Sequence, residues 1–152
     1  MLPSGAPAQE VPPGPGELAV VIPARNEEEL LGRTLPSLLE QSEDYARLVL
    51  VDDRSSDSTG ETARKLIEAS SAASSAGVVD GLEPPPGWSG KTFALARAVE
   101  TIRQSPGGAD IRWFLFTDAD ILHPPGSIRA LRQVAAAEER SLVSVIVSLS
   151  VA

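Results

Sequence analysis

The chain has 152 residues, 42% of them apolar, and a formal net charge of -8 from 13 Lys and Arg against 21 Asp and Glu. That makes it one domain, or part of a larger one, with enough apolar content for a core. The acidic balance argues against nucleic acid as the main partner, because that binding rests on Lys and Arg contacts to phosphate. The absence of cysteine excludes a disulfide framework, a thiolate metal site and a Cys nucleophile.

A phosphorylated ligand would need local positive charge from a metal, a helix N-terminus or a placed Lys. No apolar run approaches the roughly 20 residues that cross a bilayer, and the N-terminus is Pro- and Gly-rich instead of showing a signal-peptide pattern. The expected location is the cytoplasm, and no internal repeat is visible.

Residues 1–16 are Pro-, Gly- and Ala-rich and read as a disordered leader. The run E-L-A-V-V-I from Glu17 predicts a buried strand ending at Pro23. Asn26 then suits the cap of a helix with Glu27, Glu28 and Glu29 in its first turn. Leu30, Leu31, Leu35, Leu38 and Leu39 recur at helical spacing, with Pro36 expected to kink or divide the helix.

Arg47 to Val51 predicts a second buried strand, running into D-D-R-S-S-D-S-T over residues 52–59. Asp57 or Ser58 suits the next helix cap, Ser58 with Glu61 fits a capping box, and Ala63, Leu66 and Ile67 form the apolar face. Capping does not account for Asp52 and Asp53 together at the end of a buried strand. Paired acids there are costly without solvent or a partner, which makes a ligand contact a reasonable use for them.

Residues 69–76, rich in Ala and Ser, read as a loop or a frayed helix end, and Val78 with Val79 as a short third strand. In L-E-P-P-P-G-W-S-G-K-T the prolines forbid a regular element and the glycines allow close approach to a ligand. Gly90 opens a helix with Leu95, Ala98, Val99 and Ile102 on one face. Lys91 in its first turn opposes the helix dipole, which an anion nearby would explain.

W-F-L-F-T-D-A-D, residues 113–120, reads as a central strand buried on both faces and ending in two acids. Residues i and i+2 of an extended chain point to one side, so Asp118 and Asp120 leave together. Two adjacent carboxylates repel, and a hard divalent cation, Mg2+ or Mn2+, shared with ligand phosphates relieves that. After I-L-H-P-P-G, a helix started by Pro124 or Pro125 turns Ile128, Leu131, Val134 and Ala135 inward. His123, the single histidine, suits an ordinary loop hydrogen bond better than a third metal ligand. Leu142 to Val151 reads as a last strand.

Two other readings use the same segments. G-W-S-G-K-T, with Gly90, Lys91 and Thr92, resembles the end of a phosphate-binding P-loop. That motif needs a strand directly before it, and its first glycine would fall on Pro85. V-L-V-D-D is similar to the acidic strand end of receiver modules, but a complete strand-helix unit precedes it here.

In order, V-V-I-P-A-R-N-E-E, L-V-L-V-D-D-R-S-S-D-S-T, G-W-S-G-K and F-T-D-A-D together resemble the nucleotide-sugar glycosyltransferases of family 2, from about residue 18 to the C-terminus. P-P-G-W-S-G-K-T-F-A-L and T-D-A-D-I-L-H-P-P are most similar to the bacterial hopanoid-associated members. The resemblance implies a Rossmann-like GT-A α/β fold, its mostly parallel sheet flanked by helices, with residues 17–152 forming the nucleotide-sugar-binding half of a full domain. It implies hexosyl transfer from a nucleotide-diphosphate sugar, UDP-linked in the usual case, to an acceptor that includes lipids.

By the same resemblance, Pro23, Ala24, Arg25 and Glu27 border the nucleoside, and Asp53 bonds the base, supported by Asp52 and Asp57. Lys91 reaches the base or diphosphate, Asp118 meets the ribose or a metal-bound water, and Asp120 ligates the metal. The family's general base and membrane segments lie further downstream than this chain extends. The expectation is therefore a C-terminally incomplete domain, with the full-length protein at the cytoplasmic face of a membrane.

Overall fold

The two apolar runs that open the chain lie side by side at the centre of one parallel sheet. β1 (Leu18–Ala24) pairs with β2 (Arg47–Asp52) on one side and β4 (Trp113–Phe116) on the other, and β2 pairs with β3 (Ala76–Asp80), giving the order β3-β2-β1-β4. The computed structural model describes residues 14–137 and 142–144. Residues 1–13 of the expected leader and 145–151 of the expected last strand lie outside the described residues.

Alternation along β1 and β2 builds two cores. Leu18, Val20, Ile22, Leu48 and Leu50 face α1 (Glu28–Leu39) and α2 (Thr59–Glu68), and Ile128 of α4 (Ser127–Ala137) joins them. Ala19, Val21, Val49 and Val51 face Ala94, Ala98 and Ile102 of α3 (Gly90–Gln104) on the opposite side. Side chains such as Ile22, Leu48 and Leu50 are fully buried, each worth roughly 1.5–3 kcal/mol. A strand covered on both faces must be apolar throughout, which is why these two runs were readable.

Pro23 lies inside the central strand without breaking a ladder. The Val21 carbonyl accepts from Thr117 N on the β4 side, and the Ala24 carbonyl accepts from Asp53 N on the β2 side. Strand alternation turns Pro23 toward β4, whose pairing with β1 has already ended at Val21, so the missing N–H costs nothing.

Several local expectations change. β4 is the sheet's edge among the described residues, only part-buried, and it stops at Phe116, which is 51% exposed. α1 runs unbroken through Pro36, and its N-cap is Glu27 instead of Asn26. Ser58 makes no capping hydrogen bond; Asp57 Oδ1 accepts from Thr59 N instead, while Glu61 pairs with Lys65. Pro124 and Pro125 precede α4, which starts at Ser127, and Val134 is exposed.

The end of α3 turns back through Gly107, with φ 76°, onto Gly108, whose missing side chain faces the backbone. A Cβ there would stand 1.9 Å from the Ile102 carbonyl oxygen and 2.8 Å from that of Arg103. Backbone cannot rotate away, so Gly108→Ala is expected to cost about 1–3 kcal/mol, or roughly 2–4 °C per kcal/mol at this size. Thermal unfolding beside Gly16→Ala, where nothing lies within 4 Å of the added carbon, checks it. Equal melting temperatures would refute the packing argument.

Candidate nucleotide-sugar site

The chain runs β1, β2, β3 outward and then crosses back to place β4 on the other side of β1. Loops leaving β1 and β4 therefore diverge, and such a switch point opens a crevice at the strands' C-terminal ends. A cleft of about 400 Å³ lies there. Pro23, Ala24, Arg25 and Glu27 line it from β1, Asp53 from β2, and Asp118, Ala119 and Asp120 from the loop after β4. Gly90 and Lys91 line it from the start of α3. Of the residues singled out in the sequence, Asp52 and Asp57 do not reach the cleft.

Those two acids face backbone. Asp52 Oδ1 accepts from Ser55 N at 3.1 Å, and Asp57 Oδ2 accepts from Glu28 N at 3.3 Å. Asn26, at φ 54°, accepts from Ser56 N at 2.8 Å, and Thr59 Oγ1 accepts from Glu27 N at 2.9 Å. The loops after β1 and β2 are thus laced together by side chains some thirty residues apart. Asn26, read as a cap, bonds across to the partner loop instead, and Asp57 bonds both across to its partner loop and to Thr59 N in its own.

Asp53 is 7% exposed. Its Oδ1 accepts from Arg54 Nε at 3.3 Å, and Arg54 Nη1 reaches Glu83. A Cβ on Gly90 would stand 2.7 Å from Asp53 Oδ2, so only glycine lets α3 begin this close to that carboxylate. Ser89 caps α3 by accepting from Thr92 N at 3.2 Å. The anion that Lys91 meets is Asp118: Nζ and Oδ1 are 2.6 Å apart.

β4 ends before the acids and Ala119 and Asp120 lie in a turn, yet burial still alternates there. Thr117 and Ala119 are buried while Asp118 and Asp120 are exposed, so both carboxylates share the outward side. Glu27 feels them. Partial burial first, then the charges of Asp120, Asp118 and Asp57, hold its carboxyl above the usual range. A raised folded-state pKa means that ionising Glu27 costs stability, fully above that pKa and not at all below the unfolded value. Glu27→Gln is expected to raise the melting temperature at neutral pH, and the gain to vanish as pH falls below the ordinary carboxyl range. A gain that persisted at low pH would assign the effect to something other than charge.

No three His, Asp or Glu side chains converge as a ready metal cage among the described residues. The donor set still fits a hard divalent cation. Two outward carboxylates supply oxygen ligands, phosphate and water can complete the sphere, and the Lys91 ammonium already stands as a cation against one of them. His123 is not among the cleft's lining residues; its Nε2 lies 2.9 Å from Thr117 Oγ1, and burial lowers its pKa. The strand needed for a P-loop is missing too, since β3 ends at Asp80 and the prolines intervene before Gly90.

What sequence reasoning missed is the support beneath the acids. Thr34, Ser37 and Gln41 form a polar stripe at i, i+3 and i+7 along and just past α1, spacing that was readable but masked by the leucines between them. No described helix is long and apolar enough to cross a membrane.

Comparison with known proteins agrees with this architecture. Part of the TarS protein of S. aureus superposes with a TM-score of 0.55 at 23% identity, over 81% of this chain and 33% of that one; it has also been solved with UDP-GlcNAc. The mannosyltransferase PcManGT of Pyrobaculum calidifontis, in complex with GDP-Man and Mn2+, superposes with a TM-score of 0.53 at 26% identity, over 84% of this chain and 35% of that one. An uncharacterized protein of Methanocaldococcus jannaschii, MJ1222, is 49% identical over 49 residues, which is 32% of this chain and 19% of that protein. The chain thus spans about a third of the solved structures it matches and less of that relative. Its parallel sheet flanked by helices is the GT-A glycosyltransferase fold. The sequence profile described as Glycosyl transferase family 2 matches residues 19–149, and the chain belongs to that family.

Proposed function

We propose that the cleft binds the nucleoside diphosphate of a sugar donor, UDP-linked, together with Mg2+ or Mn2+, for transfer of the sugar to an acceptor. The observation that carries this reading is the outward pairing of Asp118 and Asp120 at the switch-point cleft, opposite Asp53 and beside Lys91. An anionic diphosphate would enter a cleft of this charge far more weakly without a cation. In this reading Asp120 and Asp118 hold the metal, which when bound neutralises charge growing on the leaving diphosphate.

Asp53 receives a base N–H on the oxygen that Arg54 does not use. Pro23, Ala24 and Arg25 border the nucleoside, and Glu27 lies toward the ribose or base. Asp52 and Asp57 keep the loop in shape without touching the ligand. Lys91 shifts from Asp118 to the diphosphate. The PcManGT complex with GDP-Man and Mn2+ supports the ligand class, and the hopanoid-like motifs support a lipid acceptor at a membrane's cytoplasmic face.

Calorimetric titration of the chain with UDP, with and without Mn2+, and with GDP and ATP for comparison, tests the proposal. Mn2+-dependent UDP binding that weakens in Asp53→Ala is expected. ATP binding that ignores Asp53 would overturn it, as would UDP binding indifferent to Mn2+.

A further inference from the structure

The polar stripe of α1 takes no part in the cleft, yet it carries the loop that bears the cleft's acids. Thr34 Oγ1 donates to the Ala119 carbonyl at 2.6 Å in a buried contact; the two residues are 6% and 5% exposed. Ser37 Oγ donates to the Thr34 carbonyl at 2.6 Å and accepts from His123 N at 3.0 Å. Gln41 Nε2 donates to the Pro124 carbonyl at 3.1 Å, and its Oε1 accepts from Ile128 N at 3.2 Å.

Besides these, the loop's side chains are held by the Thr117–His123 contact at 2.9 Å and by the exposed Lys91–Asp118 pair. Strand pairing stops at Phe116, leaving backbone bonds from Thr117 N to the Val21 carbonyl and, at 3.4 Å, from Ile121 N to the Asp118 carbonyl. Ala119 sits between the two acids, and its carbonyl belongs to the peptide that leads into Asp120. Fixing that peptide fixes the direction in which Asp120 leaves the backbone, and with Thr117 buried on the other side it fixes Asp118 as well.

We propose that Thr34, Ser37 and Gln41 are positioning residues. They set the aim of Asp118 and Asp120 into the cleft, and through it the cleft's affinity for a divalent cation. This rests on the donor-site reading above. Partners that orient metal ligands typically account for 10- to 100-fold in metal affinity, and Thr34, whose buried bond reaches the peptide between the two acids, carries the largest share.

The test uses the whole chain, with free Mn2+ followed by electron paramagnetic resonance and UDP binding followed in EDTA. Thr34→Val keeps the side-chain shape and removes the donor. It is expected to weaken Mn2+ binding about 10-fold, to leave metal-free UDP affinity unchanged, and to be rescued by Thr34→Ser. Ser37→Ala, at a less buried bond, is expected to give a smaller loss of the same kind, and decides the matter if Thr34→Val does not fold.

Wild-type Mn2+ affinity in the folded variants, or an equal loss of metal-free UDP binding, overturns the positioning role. Asp120→Asn separates the two readings. If it abolishes Mn2+ binding while the α1 variants do not change it, positioning alone falls. If the wild type binds no Mn2+, or Asp120→Asn binds it equally, the donor site falls and positioning falls with it.

Discussion

Asp120→Asn is expected to remove Mn2+-dependent UDP binding while leaving the fold intact. Asp120 is exposed and has no ion-pair partner among the described residues, so its loss removes no packing and no salt bridge. Amide for carboxylate keeps the shape and deletes the charge that makes a hard-cation ligand. Even residues that only orient metal ligands account for 10- to 100-fold, so loss of a ligand itself should exceed about 100-fold. The comparison is UDP affinity at saturating Mn2+ for wild type and variant, with thermal unfolding as the fold control. Unchanged affinity at unchanged melting temperature would remove Asp120 from the metal site. A variant that lost UDP binding equally in EDTA would place Asp120 on the nucleotide instead.

The sheet's centre was legible because strands covered on both faces admit few polar residues, and V-V-I and L-V-L-V meet that condition. W-F-L-F looks the same in sequence, yet among the described residues β4 is an edge strand and Phe116 is half exposed. Apolar content alone does not tell burial by helices from large side chains at a margin. The outward pairing of Asp118 and Asp120 was expected from strand alternation, but Ala119 and Asp120 lie in a turn after β4, and the pairing there goes with the burial of Thr117 and Ala119 instead of with an extended backbone.

Local rules failed where distant partners took over. Asn26, Ser55 and Thr59 all look like helix-capping or turn residues. Each is engaged across the two loops, and a partner some thirty positions away leaves no trace in local spacing. Asp52 and Asp57 sit in the same motif as Asp53, but Asp52 turns to Ser55 N and Asp57 to Thr59 N and Glu28 N, and of the three only Asp53 lines the cleft. Thr34 was hidden differently. A threonine among leucines suggests a helix face, and nothing in α1 announces that its hydroxyl meets a carbonyl 85 residues on.

Lys91→Met is expected to act with opposite signs on the two ligands. The Lys91–Asp118 pair is short, but its side chains are 60% and 51% exposed, and such pairs are worth about 0–1 kcal/mol. The fold should therefore be nearly unaffected. The low value of the pair also means that Lys91 can leave Asp118 at little cost when a better anion arrives. A diphosphate with a bound cation is that anion, and a hydrogen bond to a charged group contributes about 1.5–3 kcal/mol. Lys91→Met should then weaken UDP binding in Mn2+ by about 10-fold or more, with Lys91→Arg closer to wild type because the charge is kept. Mn2+ alone should bind the Met variant more tightly than the wild type, since Asp118 no longer shares its charge with an ammonium. Titrating Mn2+ without nucleotide and UDP with saturating Mn2+ separates the two effects. If both weaken together, Lys91 supports the loop and does not exchange partners. If UDP affinity is unchanged, Lys91 does not reach the diphosphate, and the positive charge beside the leaving group comes from the metal alone.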